Sequence, residues 1–184
     1  FSLYSNSTGK DNIAQGYGSL YSNTIGKNNA AFGNYALNKN TSGCSNIAIG
    51  YLALCGNTYG VSNIAQGYMA LKCTTSGCDN TGFGRNALYS NTTGNYNIGF
   101  GYSSLYYNLT GSCNIGIGTN SLYCSLGTCN IGIGKNALYY CDLSENIAFG
   151  TNALYDNSGN NNIAIGLNCL QNNKFSRKCF LLKL

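Results

Sequence analysis

Histidine, proline and tryptophan are absent from this chain, and charged residues make up only 8% of it. Without histidine it lacks the commonest general base and metal ligand near neutral pH. No C-x-x-C pair occurs either, so the ligand spacing of a tetrahedral zinc site is missing. The acidic groups are Asp11, Asp79, Asp142, Glu145 and Asp156, scattered along the chain. General acid–base chemistry needs two such groups converging, so neither enzymatic activity nor a cofactor is expected. Ordinary soluble domains carry about 25% charged residues. Scarce charge with 43% apolar content excludes a charge-driven disordered chain.

The net charge of +5 does not point to nucleic acid. Lys174, Arg177, Lys178 and Lys183 stand together near one end, leaving residues 1–173 with six positive and five negative charges. Counterion release from a phosphate backbone needs cations clustered along a face. No apolar run approaches the roughly 20 residues that span a bilayer, so no membrane insertion is expected of this segment.

What the chain has instead is a repeat. Ten times an Asn is followed four residues later by Gly and four after that by Leu, beginning with Asn12, Gly16 and Leu20. The glycines stand at 16, 33, 50, 67, 84, 101, 118, 134, 150 and 166, so the period is seventeen and then sixteen residues. A fixed period with short Ile-, Phe- and Tyr-containing segments between Gly and Asn predicts an all-β fold, a parallel β-solenoid of about ten rungs. Helix is the competing reading of the Ala-Leu pairs, but each interior Gly costs a helix about 1 kcal/mol. At about 4.8 Å per rung the array makes a rod on the order of 48 Å long. The array is expected over residues 1–173. It opens at Phe1-Ser2-Leu3 with Leu3 already at the Leu position, which suggests a fragment of a longer protein starting in mid-repeat. Residues 174–184, basic and apolar, are expected to be a cap or a junction.

Within one rung, the position two after the Asn is always small: Ala14, Ala31, Ala48, Ala65, Gly82, Gly99, Gly116, Gly132, Ala148 and Ala164. Its neighbours are mostly Ile or Phe, as in Ile98 and Phe100. Strand residues alternate faces, so this reads as a strand covered on both sides. The large pair would belong to the core and the small row would be a face packed against another chain. The second Gly of each rung (9, 26, 43, 60, 77, 94, 111, 127, 159) is expected at a turn with positive φ. Leu143 takes that place in the ninth rung, predicting a rebuilt corner there. Three residues after the Leu runs a series of asparagines, Asn23, Asn40, Asn57, Asn91, Asn108, Asn157 and Asn173, expected to hydrogen-bond as a ladder.

Asn46-Ile47-Ala48-Ile49-Gly50 and Asn162-Ile163-Ala164-Ile165-Gly166 resemble the head repeats of trimeric autotransporter adhesins. The longer string N-x-A-I-G-x-x-A-L-x-x-N-T-x-G is similar to repeats of fibre-like surface proteins of phages and giant viruses. The resemblance implies a left-handed, trimeric β-roll in a structural segment of an extracellular, cell-surface or virion-surface fibre, its principal partner being copies of itself.

Several side chains invite other readings. Cys113 and Cys129 share a phase on adjacent rungs, inside the Cα range of a disulfide. Cys55 with Cys73, and Cys124 with Cys141, are displaced by one residue and are further candidates. Asn6, Asn40, Asn91 and Asn108 head N-x-[S/T] triplets and would be glycan acceptors in a secretory host. The column Tyr89, Tyr106, Tyr123, Tyr139 and Tyr155 could stack across rungs, or serve a carbohydrate- or receptor-binding adhesin as its glycan surface. Thr24, Thr41, Thr58, Thr75 and Thr92 are aligned as an ice-binding solenoid would need, but the row ends there.

Overall fold

The computed structural model describes residues 1–176 fully and the backbone of residues 179–183. Its strands are β1 (Ile13–Gln15), β2 (Ala30–Phe32), β3 (Ile47–Ile49), β4 (Ile64–Gln66), β5 (Thr81–Phe83), β6 (Ile98–Phe100), β7 (Ile115–Ile117), β8 (Cys124–Ser125), β9 (Ile131–Ile133), β10 (Tyr140–Cys141), β11 (Ile147–Phe149), β12 (Asp156–Asn157), β13 (Ile163–Gly166), β14 (Asn172–Asn173) and β15 (Cys179–Lys183). Among the described residues there is no helix. All pairings are parallel, and equivalent positions of successive repeats lie side by side: Ala48 pairs with Ala65, and Gly67 N–H donates to Ile49 O at 2.8 Å. The chain is a parallel β-solenoid whose turns are the sequence repeats.

One sheet of eleven strands, β1 to β7 with β9, β11, β13 and β15, runs the length of the rod. A second, of four two-residue strands (β8, β10, β12, β14), exists only where the period is sixteen. The shorter unit loses one corner residue: Asn108-Leu109-Thr110-Gly111 becomes Ser125-Leu126-Gly127. That corner then straightens enough to pair with its neighbours. Strand pairing continues past residue 173 into the expected cap or junction: β15 pairs with β13 from Ile163↔Cys179 onward, past a register shift after Ile165. The backbone of 179–183 is one more rung. Arg177, Lys178 and Leu184, part of the expected cap, lie outside the described residues.

The interior reverses the expected assignment of faces. The small residues point inward: Ala31, Ala48, Ala65, Ala148 and Ala164 are fully buried within the single chain, packed with the invariant Leu column and the Ala that precedes it. A Cβ added at Gly82 would stand 3.2 Å from Leu71 Cγ, so the coil is too narrow for a larger residue opposite the leucine. The row from Ala14 to Ala164 is therefore not a chain-packing face. Its size limit comes from the chain's own opposite wall, and the Ile/Phe pair points outward.

Each rung turns its corners with left-handed residues that are not glycine. Every invariant Leu is left-handed, from φ 47° at Leu20 to 54° at Leu105. So are the residue two before it, such as Asn86 at 59°, and the residue before the Asn, such as Asp79 at 55°. A left-handed L-residue costs roughly 1–2 kcal/mol, an amount that full burial of a Leu, worth about 1.5–3 kcal/mol, offsets. The first Gly of each rung has φ between 127° and 142°. The second Gly does not have positive φ, correcting that expectation. Crowding keeps it small, because a Cβ on Gly43 would collide with Asn40 Oδ1 and with the carbonyl of Gly60 in the next rung. Leu143 keeps the ninth corner in register, with Glu145 N–H still donating to Thr128 O at 3.0 Å, so the rebuilt corner is also corrected.

Buried asparagines hold the rungs together. In the expected ladder Asn40 Nδ2 donates to Asn23 Oδ1 at 2.7 Å, and Asn57 Nδ2 to Asn40 Oδ1 at 2.8 Å. Thr74 interrupts it, leaving Asn57 Oδ1 and Thr74 Oγ1 buried without partners. Substitution Thr74→Asn is expected to restore two amide bonds, to Asn57 and from Asn91, and to raise stability by about 1–3 kcal/mol. An unchanged or lowered chemical-denaturation midpoint would show that the corner at 74 cannot seat an amide.

Candidate interaction surface

Because the coil turns its small residues inward, its sheet presents the large ones to solvent. The outward columns contain Ile47, Ile64, Ile98 and Ile115 on one side, and Phe32, Ile49, Phe83, Phe100, Ile117 and Phe149 on the other. The exposed members of these columns run from 36% at Phe32 to 58% at Ile13, whereas Ile115, Ile131, Ile147 and Ile163 are half-buried. Ala30, Thr81, Gln15 and Gln66 interrupt them, and no charge does. Phe83 and Phe100 stack at 4.8 Å with planes 5° apart. Alternate strand residues lie about 7 Å apart and rungs about 4.8 Å, so the strip covers on the order of 500 Å², the upper range for a single patch on a monomer.

A second outer column is aromatic. Tyr89, Tyr106, Tyr123, Tyr139 and Tyr155 stack ring on ring, with centroids 4.8–5.3 Å apart and planes within 16°. Tyr107 and Tyr140 meet this column edge-on, Tyr107 at 4.6 Å from Tyr106 and Tyr140 at 4.6 Å from Tyr139. Lys72 ends the column, donating from Nζ to Tyr89 Oη at 3.1 Å, a bond that holds its ammonium pKa above the usual value. Burial raises the phenol pKa of Tyr106, Tyr123 and Tyr139, reinforced by neighbouring tyrosines. Neighbours cover both ring faces of Tyr106, Tyr123 and Tyr139, so this column offers a sugar only edges and hydroxyls.

The cysteines do not join as the sequence suggests. Cys55, Cys73, Cys113, Cys124, Cys129 and Cys141 are all free thiols. Cys113 and Cys129 do occupy equivalent exposed corners, both at φ 58°. Identical conformations stacked in register hold their Cβ atoms parallel, at roughly the 4.8 Å rung spacing, beyond the 3.5–4.5 Å that a disulfide uses. Cys124 is half-buried where its sheet partner is Tyr140, whereas Cys141 is buried beside Ser125, so the two thiols face opposite ways. Cys55 and Cys73 are half-buried, and burial raises both pKa values against the pull of Lys39 and Lys72. Cys141 is raised by burial as well, although hydrogen bonds with Leu143, Asn157 and Asn146 oppose the shift. These thiols are held protonated and so poorly nucleophilic.

Other expected sites are similarly placed. Asn40, Asn91 and Asn108 are buried with their amide nitrogens committed to the carbonyls of Gly43, Gly94 and Gly111, so none of the three presents a glycan acceptor. Asn6 is exposed. The aligned threonines turn their hydroxyls to the next rung's carbonyl, Thr24 Oγ1 to Thr41 O at 3.0 Å and Thr41 Oγ1 to Thr58 O at 3.1 Å. Glu145 lines an open polar cleft of about 500 Å³ with Ser144, Asn160, Asn161 and Ser176. Among the described residues no group of three or more His, Cys, Asp or Glu is placed to hold a metal ion, and no helix is long and apolar enough to cross a membrane.

Sequence reasoning missed the strongest polar column, the Asn that opens each repeat. Asn80 is fully buried. Its Nδ2 donates to Asn63 Oδ1 and to Gly94 O, and its Oδ1 accepts from the backbone N–H and the Nδ2 of Asn97. The signal was the presence of this Asn in all ten units. Comparison with known protein families, curated proteins and solved structures finds no match for the chain.

Proposed function

We propose that the chain is a mechanical shaft or head segment of an extracellular or virion-surface fibre, in which copies associate along the outward Ile/Phe face as a homotrimer. The observation that carries this reading is an uncharged apolar strip at the same place on successive rungs, aligned with the rod. A second copy has the same rung spacing, so side chains can interdigitate along the full length. Two facing strips bury on the order of 1,000 Å² in total, where specific interfaces begin. The count of three and the surface setting rest on the resemblance to adhesin heads and viral fibre repeats. The function is then support: backbone ladders, buried asparagines and the Leu column stiffen each chain, and the strip joins chains side by side.

Native mass spectrometry of the chain, alone and as the Ile49→Glu/Phe100→Glu double variant, tests this. These side chains point outward three rungs apart, so the fold should tolerate them, with circular dichroism unchanged. Trimers that weaken by about a thousandfold in Kd or more, roughly 4 kcal/mol, are the expected result. A monomeric native chain at micromolar concentration would overturn the proposal.

A further inference from the structure

The tyrosine column has a chemical use that does not depend on the fibre reading. We propose that it is a site of oxidative cross-linking, in which tyrosines on neighbouring rungs couple through their ring carbons and staple one rung of the chain to the next. The oxidant is a peroxide, delivered through a haem peroxidase. Each phenol loses one electron and one proton to become a phenoxyl radical, and two radicals form a carbon–carbon bond between positions ortho to the oxygens. The ortho hydrogens then return to the oxygens as protons, leaving a biphenol. Two hydrogen atoms are lost in all, and hydrogen peroxide takes them up to become two waters.

The geometry favours neighbours in the column over other partners. Tyr123 and Tyr139 lie 4.8 Å apart with planes 12° apart, and Tyr89 and Tyr106 lie 4.9 Å apart with planes 1° apart. Radical spin in a phenoxyl reaches the ortho carbons, and rotation about χ1 and χ2 can bring two ring edges together while the strands keep their spacing. A partner held at this distance reacts as though at very high concentration, as positioned groups generally do. Tyrosine is a neutral phenol at neutral pH, the form that gives up a hydrogen atom, and burial raises the pKa of Tyr106, Tyr123 and Tyr139 further. Tyr59 and Tyr96 provide an internal contrast: they are 64% and 62% exposed, and no described ring stacks on either. Exposure alone would direct oxidation to them, whereas stacking directs coupling to the column.

The test treats the intact chain with a haem peroxidase and hydrogen peroxide, then denatures and digests it. Trypsin cuts after Arg85, Lys135 and Lys174, so a Tyr123–Tyr139 bond joins segment 86–135 to segment 136–174. The expected result is this joined pair, lighter by two hydrogens, from chains that still migrate as monomers under denaturing conditions. The Tyr139→Phe variant keeps the stack but lacks the phenol, and should lose the joined pair. Coupling mainly between chains, coupling through Tyr59 or Tyr96, no coupling at all, or a joined pair that persists in Tyr139→Phe would each overturn the proposal.

Discussion

Gly84→Ala is expected to cost at least 3–4 kcal/mol and to divide the rod into separately melting halves. Gly84 has φ 128°, a conformation that L side chains rarely adopt, and a Cβ there would lie 2.6 Å from Gly101 O in the next rung. The obstacle is backbone, which cannot swing aside. Strain of about 1–3 kcal/mol adds to the separation of two strands whose hydrogen bonds hold adjacent rungs. Solenoid stability is a sum of rung and interface terms, so a broken interface near the middle should appear as two transitions in thermal or denaturant unfolding. Gly82→Ala, two residues away, is the control. Its Cβ would meet the Leu71 side chain at 3.2 Å, and other rungs carry Ala at that position. That substitution should change stability by no more than about 1 kcal/mol, the size of a Gly-to-Ala backbone effect. Equal effects of the two substitutions would show that the inter-rung approach at Gly84 is not what restricts it.

The same pair of positions shows what was legible in the sequence. A repeat with a strict period fixes the fold class and the register, because equivalent residues must stack, and each pairing from Ile13↔Ala30 to Ile147↔Ile163 follows from the spacing. Which face lies inside was not legible. Patterning normally assigns large residues to the core, and here Ile98 and Phe100 flank Gly99, so the usual rule puts the wrong side inward. What decides it is the width of the coil: Leu88 Cγ stands 3.2 Å from a Cβ built on Gly99, leaving room for one large column only. Nor could the leucine corners be read, because left-handed turns are ordinarily signalled by Gly or Asn and a buried Leu at φ 53°, such as Leu88, carries no such signal. The candidate surface was misassigned for the same reason. The Tyr column, whose outward course needs no knowledge of the core, was recognised.

The second large effect is expected at the buried asparagine column, where Asn80→Ala should cost about 4 kcal/mol. The substitution removes the acceptor of the Asn97 backbone N–H and the donor to Gly94 O, at 3.0 and 2.8 Å, in a position without solvent. The orphaned Asn97 N–H costs roughly 1–3 kcal/mol, Gly94 O keeps only its bond from Asn91 Nδ2 at 3.1 Å, and the ladder loses its continuity in both directions. Asn80→Asp separates hydrogen bonding from volume. As a neutral acid, aspartic acid can still donate to Gly94 O. As a carboxylate it can only accept, and it faces that carbonyl in a buried site. Burial raises the folded-state pKa above the unfolded value of about 3.9, so the folded chain binds the proton more tightly. The added stability is present in full below the unfolded pKa and is lost as pH rises through the folded one. Asn80→Asp should therefore approach the native chain at low pH and fall away toward neutrality, whereas Asn80→Ala should show no such slope relative to the native chain. If Asn80→Asp is as stable as the native chain at neutral pH, the donor to Gly94 O is dispensable and the column acts through packing alone.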